Sequence, residues 1–314
     1  DMPGIDPEIV QHRIPLDPEA RPVKQKLRRI RPDWAIKIKE EVTKQIAAGF
    51  LLVSEYPTWL ANIVPVPKKD GRIRVCVDFR DLNRSSPKVD FRLPHIDELV
   101  DFTAGQALLS FMDGFSGYNQ IVMAPEDREK TAFTTPWGTY CYRVMPFGLK
   151  NAGATYQRAA TTILHDMIHK EVEVYVDDMI VKSKEREGHY TALQKFFKRI
   201  REFRLRLNPQ KCTFGVTAGK MLGFLITQSG IEVDPSKFKA ILEMPPPRTE
   251  KEVRGFLGKV QFIRRFISKL TLTCEPLFGL LKKGKKFQLD GQWQAAFEQI
   301  KEYLQNPPVL SPPE

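Results

Sequence analysis

Between residues 171 and 183 apolar and polar positions alternate. Val172, Val174 and Val176 lie between Glu173, Tyr175 and Asp177, a period of two that predicts a half-buried strand. A second apolar run, Met179-Ile180-Val181, follows at once, so the pair predicts a tight hairpin with Asp177 and Asp178 at its tip. Residues 62–79 predict another hairpin about Asp70-Gly71, a strong turn signal. On its return strand Ile73, Val75, Val77 and Phe79 share one face, and Arg72, Arg74, Cys76 and Asp78 the other. The apolar run 107–112 predicts a strand ending at Asp113. Residues 131–145 are aromatic and rich in β-formers, with a turn near Pro136-Trp137-Gly138. Residues 211–234 predict further short strands.

Helical periods fill the intervals. Residues 32–48 predict a helix that Gly49 can close, and 95–103 a short one. Asn151 is placed to cap a helix whose buried stripe is Tyr156, Ala160, Ile163, Leu164 and Met167. Residues 189–207 carry a wide apolar face of Leu193, Phe196, Phe197, Ile200 and Phe203. Pro245-Pro246-Pro247 marks a hinge. Thr249 with Glu252 forms a capping box opening a helix to about residue 268. Gly255 and Gly258 lie inside it, and each costs about 1 kcal/mol there relative to Ala, so a close contact is expected. Shorter helices are predicted over 273–282 and 293–304.

An Asp-Asp pair between strands is usually only a turn. Here the flanks are strongly apolar, so the tip should be held in place, and Asp113 ends a strand 64 residues upstream. Three clustered carboxylates repel one another unless cations lie between them. Hard oxygen ligands suit Mg2+, with Mn2+ the alternative ion. Two such ions can clamp the attacking and leaving oxygens of a phosphoryl transfer. Asp113, Asp177 and Asp178 are therefore the candidate catalytic and metal-ligating residues.

Charge adds a partner class. The 314 residues carry net +11. Residues 1–190 hold 27 basic and 27 acidic side chains, and residues 191–314 hold 22 and 11, so the whole excess is C-terminal. A basic region beside a carboxylate centre suits a polyanion such as nucleic acid. Residues 21–31 add six basic residues and no acid, either an arm for backbone phosphates or a solubilising segment. At 42% hydrophobic and 28% charged the composition is that of an ordinary soluble protein. No apolar run reaches 18 residues, which predicts no transmembrane helix, and the first residues show no signal peptide. The chain does not begin with Met, as a piece of a longer chain would not. Cys76, Cys141, Cys212 and Cys274 lack zinc-ligand spacing, so reduced thiols and an intracellular location are expected.

The ordered blocks F-M-D-G-F-S-G-Y (111–118), V-M-P-F-G-L-K-N-A (144–152) and Y-V-D-D (175–178) resemble those of reverse transcriptases from gypsy-type LTR retrotransposons, the plant members most of all. The resemblance runs over essentially the whole chain. It implies an α+β right-hand polymerase fold of fingers, palm and thumb, with an antiparallel palm sheet backed by helices. Residues 1–90 with 121–150 would form the fingers, 91–120 and 151–244 the palm, and 245–290 the thumb. Residues 291–314 would start the connection, with RNase H absent.

The implied activity is RNA-directed DNA polymerisation, with template–primer and dNTP as partners and no membrane. A homodimer, or contacts with RNase H and integrase parts of a polyprotein, are compatible with it. So is action in a cytoplasmic particle or the nucleus. By resemblance Lys68 and Arg74 meet the triphosphate, Tyr118 is a steric gate under the sugar, and Phe147 lines the nucleotide pocket. Gly223 would approach the primer terminus, and Gly258 and Phe262 the template–primer minor groove. Asp113 and Asp177 would bridge the metals most directly. From the residues alone Tyr118 could equally be a half-buried core tyrosine, and 255–258 a helix–helix contact. The rival reading is a non-catalytic nucleic-acid-binding subunit or a decayed element protein, although the carboxylates, Arg74 and Tyr118 are intact.

Overall fold

The computed structural model describes residues 3–67, 71, 73–279, 281, 291–305 and 308–311. The chain divides into two units. The first comprises residues 1–94, 110–181 and 190–214, and the second 95–109, 182–189 and 215–314.

Both predicted strand pairs are present, and Asp70 of the expected Asp70-Gly71 turn lies outside the described residues. Val172–Tyr175 pairs antiparallel with Asp178–Ser183, with Tyr175 opposite Asp178. Only Val176 and Asp177 are left to make the turn. These strands belong to a four-stranded sheet in the order Thr213–Val216, Leu108–Asp113, Asp178–Ser183, Val172–Tyr175. The strand ending in Asp113 therefore lies beside the strand that begins with Asp178. Val172, Val174, Met179 and Val181 are buried, each 2% exposed or less. They pack in one cluster with Tyr156, Ala160, Ile163 and Leu164 of the helix Ala152–Leu164, so the predicted stripe is the buried one.

The other hairpin, Ala61–Pro67 with Ile73–Val77, forms one side of a five-stranded sheet that also holds Leu51–Val53, Phe133–Thr135 and Gly138–Tyr142. Val75, Val77 and Phe79 face its core and Arg74 is exposed. The helix Pro32–Ala47 carries Pro at its first position, where the missing N–H is harmless, and Gly49 follows it at φ +73°.

The basic segment 21–31 is partly consumed in folding. Lys24 bridges to Leu60. The Arg28 backbone N–H donates to Asn62 Oδ1 at 2.9 Å, and its guanidinium donates to the buried carboxylate of Asp78 at 2.7 Å. Arg80 donates to the same carboxylate, and these partners hold Asp78 well below the usual carboxylate range, the Arg80 bonds first. The segment 77–83 is thus a structural clamp.

Several helices depart from their sequence limits. Arg186–Glu202 begins three residues before the expected 189 and ends five before 207. Arg204 takes a left-handed φ of +56°, and the Leu205 N–H returns to Ile200 O, turning the chain so that Leu205 is buried and Leu207 bridges Gly114. Asn151 does start its helix but does not cap it. Its side chain instead accepts from Val89 N–H and donates to Pro87 O.

In the second unit, Ala218–Met221, Phe224–Thr227 and Gly230–Val233 form an antiparallel sheet. Thr249 and Glu252 make the expected capping box. The helix they open is Glu250–Phe262, not one reaching 268. The chain turns through Arg264–Phe266 so that Phe266 is buried with its ring 5.9 Å from Phe224. The expected 273–282 helix is two short ones, Leu270–Thr273 and Glu275–Gly279. Gly291–Gln305 packs Phe297 against Phe256, ring centroids 4.9 Å apart. Ile231 and Leu310 exchange two backbone hydrogen bonds. A Cβ on Gly230 would overlap Leu310 O, so this edge pairing needs glycine.

The N-terminal segment is held in the first unit by Gln11–His12, which pairs parallel with Val122–Met123. His12 is 2% exposed, with Nδ1 2.9 Å from Thr155 Oγ1. Burial lowers its pKa to about 4, with Asp127 opposing and Arg158 assisting. A histidine kept neutral in the fold stabilises above its unfolded value of about 6.5, and that stability is lost as pH falls through this value toward the folded one. Between pH 7 and 5 the wild-type chain should therefore lose about 2 kcal/mol more than His12→Asn. Urea denaturation of both proteins at the two pH values measures the difference, and equal losses would show that His12 does not titrate against folding.

Candidate active site

Each acid owes its place to local backbone chemistry. Asp113 ends its strand, and its carbonyl accepts from Asn208 N–H at 2.8 Å. The chain then turns sharply through Ser116, left-handed at φ +49°, into the short helical turn Gly117–Gln120. Gln120 is fully buried. Its side chain donates to Phe115 O and Arg206 O and accepts from Arg206 N–H, so all its amide capacity serves this turn. Gly114 N–H donates to Asp177 O at 3.1 Å, joining the end of one strand to the hairpin tip. A Cβ on Gly117 would lie 2.9 Å from Asp177 Cβ, and one on Gly114 3.1 Å from the Tyr156 hydroxyl. Glycine at 114 and 117 therefore sets how closely 113–118 approaches Asp177.

The three carboxylates feel one another. Asp178 is exposed as a residue, yet its carboxyl group lies among protein atoms. Lost hydration raises its pKa first, then the charges of Asp177 and Asp113, with Lys211 opposing. The Lys211 ammonium lies 2.9 Å from Asp113 Oδ2. Among the described residues no group of three acidic, histidine or cysteine side chains is assembled closely enough to hold a metal ion. The donor set still fits one chemically: three hard oxygen ligands that repel one another, one of them already matched by a side-chain cation. Beside them the Tyr156 hydroxyl is buried and has no hydrogen-bond partner among the described residues. Its pKa is raised by burial first, then by Asp177 and Asp113.

A side-chain platform adjoins the acids. The Tyr118 ring is 4.8 Å from Phe147 and 6.0 Å from Tyr156. The Arg74 guanidinium lies 5.3 Å from the centre of the Phe147 ring, within cation–π range. The turn carrying Phe147 is clamped by Asn83, which donates to Gly148 O and accepts from Lys150 N–H, both at 2.8 Å. The structure thus gathers Arg74, Tyr118 and Phe147 and places the Tyr118 ring near Asp177, whose charge raises the tyrosine pKa after burial does. Lys68, the other expected phosphate ligand, lies outside the described residues.

The remaining expected contact residues lie in the second unit. Gly223 has φ +91°, and a Cβ there would overlap the Phe262 ring. Phe262 also stacks on Phe224 at 6.1 Å and carries Lys237 over its ring at 5.4 Å. A Cβ added to Gly255 or Gly258 would have nothing within 4 Å, so the expected helix–helix contact is absent among the described residues and that face is open. Arg265 is not free there, since it pairs with Asp101 and Asp97. Lys211, Gln120 and Gln157 are not among the residues expected from the sequence. A lone Lys and two Gln in apolar stretches carry no spacing that marks them.

Residues 66–226 match the family model described as reverse transcriptase (RNA-dependent DNA polymerase). The chain is 32% identical over 284 residues to the retrovirus-related Pol polyprotein from transposon 297 of Drosophila melanogaster, covering 89% of this chain and 27% of that protein. It is 31% identical over 276 residues to the transposon Tf2-3 polyprotein of Schizosaccharomyces pombe, covering 87% and 20%. It therefore spans about a quarter of the length of these curated relatives. Among solved structures it is similar to the foamy viral protease-reverse transcriptase in complex with dsDNA, with a TM-score of 0.86 at 23% identity over 97% of this chain and 64% of that one. The same viral protein with an RNA/DNA hybrid aligns at a TM-score of 0.83 and 23% identity, covering 96% and 40%. These likenesses show the fold.

The two kinds of glycine should respond oppositely to alanine. Gly117→Ala places a methyl group against Asp177 and should cost roughly 1–3 kcal/mol, the usual range for overpacking. Gly258→Ala fills open space in a helix and should stabilise by up to about 1 kcal/mol. Thermal or urea denaturation of both variants checks this, and a neutral Gly117→Ala would remove the close-approach explanation.

Proposed function

The chain belongs to the reverse transcriptase (RNA-dependent DNA polymerase) family, and from that premise we propose that it extends a primer 3′ end with dNTPs on an RNA or DNA template. Enzymes of the family use divalent metal ions, and here two Mg2+ held by Asp113, Asp177 and Asp178 are proposed. When bound, such ions supply charge stabilisation at the attacking and leaving oxygens. The observation that carries the reading is the convergence of the Asp113 strand end on the Asp177-Asp178 tip, sealed by the Gly114 N–H bond to Asp177 O, beside the Arg74–Phe147–Tyr118 platform.

The roles of the side chains come from their chemistry. Arg74 offers a planar fork to phosphate oxygens, and its stacking on Phe147 limits where that fork can point. Phe147 offers a flat apolar wall, so it would line a nucleotide pocket by packing. Tyr118, backed by Phe147 and Tyr156, is a ring with little freedom to withdraw. A fixed ring under a sugar leaves room for a 2′-hydrogen and not for a 2′-hydroxyl, which is discrimination by steric rejection. Template–primer binding is proposed for the basic residues of 191–314 and the open Gly255–Gly258 face. Fingers over 1–90 and 121–150, palm over 91–120 and 151–244, thumb over 245–290, and a gypsy-type retrotransposon polyprotein as the source of the chain belong to the same proposal.

Primer extension on an RNA template should require a divalent cation and stop with EDTA. Asp177→Asn should lower single-nucleotide addition at least about 100-fold with template–primer affinity nearly unchanged. Addition near the wild-type rate would sink the assignment of the acids. Tyr118→Val should raise the efficiency of ribonucleotide relative to deoxynucleotide addition. If Tyr118 is only a core residue, the variant instead loses about 3 kcal/mol or more of stability, and both substrates suffer together with their ratio unmoved.

A further inference from the structure

The turn that carries Asp177 and Asp178 is strained. Val176 adopts φ +55°, a conformation that β-branched residues avoid and that costs on the order of 1–3 kcal/mol unless the surroundings impose it. The strand pairing leaves only Val176 and Asp177 to reverse the chain, and two-residue hairpin turns ask for a positive φ at the first of the two. Glycine or asparagine would meet that demand at little cost. Valine needs outside support.

The support is one side chain. Gln157 lies in the helix Ala152–Leu164 and is 2% exposed. Its Oε1 accepts from Val176 N–H at 2.7 Å, and its Nε2 donates to Val174 O at 3.1 Å. The two bonds grip the chain at the strained residue and at the strand position two residues before it. They also fix the amide: turned over, its NH2 would face an N–H and its oxygen a carbonyl. A buried glutamine is uncommon, and one whose bonds both go to the backbone of a single turn is placed to shape that turn. Neither bond reaches Asp177 or Asp178 themselves.

We propose that Gln157 is a positioning residue for the polymerase reaction: it imposes the left-handed conformation of Val176 and thereby sets where the Asp177 and Asp178 carboxylates stand. This rests on the function proposed above. The residue touches neither substrate nor the acids, so its effect on the chemistry passes through backbone geometry. Side-chain misplacements of about 1 Å at a reacting centre cost on the order of 100-fold in rate.

The test uses the full chain and Gln157→Met, which keeps the length of the side chain and removes both hydrogen bonds. Amide hydrogen exchange reports on the turn without reference to activity. The Val176 amide should exchange at least about tenfold faster in the variant, the effect of losing roughly 1.4 kcal/mol of local protection, while the Val181 amide in the adjoining strand keeps its rate. In single-nucleotide addition kcat should fall about 10- to 100-fold, with KM for dNTP and template–primer affinity within about threefold of wild type. Adding Val176→Gly, which accepts the positive φ freely, should restore part of the lost kcat.

An unchanged Val176 exchange rate overturns the proposal. So does a variant in which Val176 and Val181 exchange equally fast, since Gln157 would then serve the fold as a whole. So does a wild-type kcat in Gln157→Met. A wild-type chain that extends no primer refutes the function proposed above, and hydrogen exchange then still decides whether Gln157 shapes the turn.

Discussion

The turn at Val176 is the constraint on which the candidate site depends. One face of the hairpin, Val172, Val174, Met179 and Val181, is packed in the core, so the register is strongly specified by burial, and Tyr175 stands opposite Asp178. That register leaves two residues for the reversal and calls for a positive φ at the first of them, which is a valine. The consequence is spatial. Asp177 is brought against the Gly114–Gly117 segment so closely that Gly117 has no room for a Cβ. The helix Ala152–Leu164 fills the other side with Tyr156 and Gln157. A change of register by one residue would turn every side chain of the shifted strand to the opposite face of the sheet.

The same geometry sets the electrostatics. Asp178 is held above its ordinary pKa by lost hydration and by its two acidic neighbours, and Lys211 offsets part of this from Asp113. The Tyr156 hydroxyl is buried near the acids and has no hydrogen-bond partner among the described residues. A strained turn, repelling carboxylates and a buried hydroxyl thus meet in one place. Local conflict of this kind is expected where a sequence serves chemistry as well as folding. The surrounding core absorbs it, since Val172, Val174, Met179 and Val181 are buried in one cluster with the apolar stripe of the helix.

In the second unit the sequence signals had a different fate. A Cβ on Gly223 would overlap the Phe262 ring, which itself stacks on Phe224. Gly255 and Gly258 are the reverse case. Nothing in the described residues requires them to be small, which leaves the helix Glu250–Phe262 with a smooth exposed face. Of the arginines nearby, Arg254 pairs with Glu250, which the net charge of 191–314 already counts, and Arg265 pairs with Asp101, which lies outside those residues, so that charge of the excess is matched from elsewhere in the chain.

Elements whose cause is local can be read directly from the residues. Alternation specified both hairpins, helical periodicity specified the stripe of Tyr156, Ala160 and Ile163, and the Thr249–Glu252 capping box needed nothing beyond four residues of chain. The ordered motifs also identified Asp113, Asp177 and Asp178 as a set, because their strands carry strong apolar patterns. Only the tertiary structure decided the features that depend on residues distant in sequence. Asn151 could cap its own helix, yet the segment 87–89 offers its side chain better partners. The helix Arg186–Glu202 could run on by propensity, yet burial of Leu205 and the bridge from Leu207 to Gly114 stop it. Gln157 stands out by no spacing in the sequence, and its two bonds exist only because Val176 N–H and Val174 O lie across from it. Periodicity records which face of an element is buried, but it contains no term for which particular hydrogen-bond partner that face will meet.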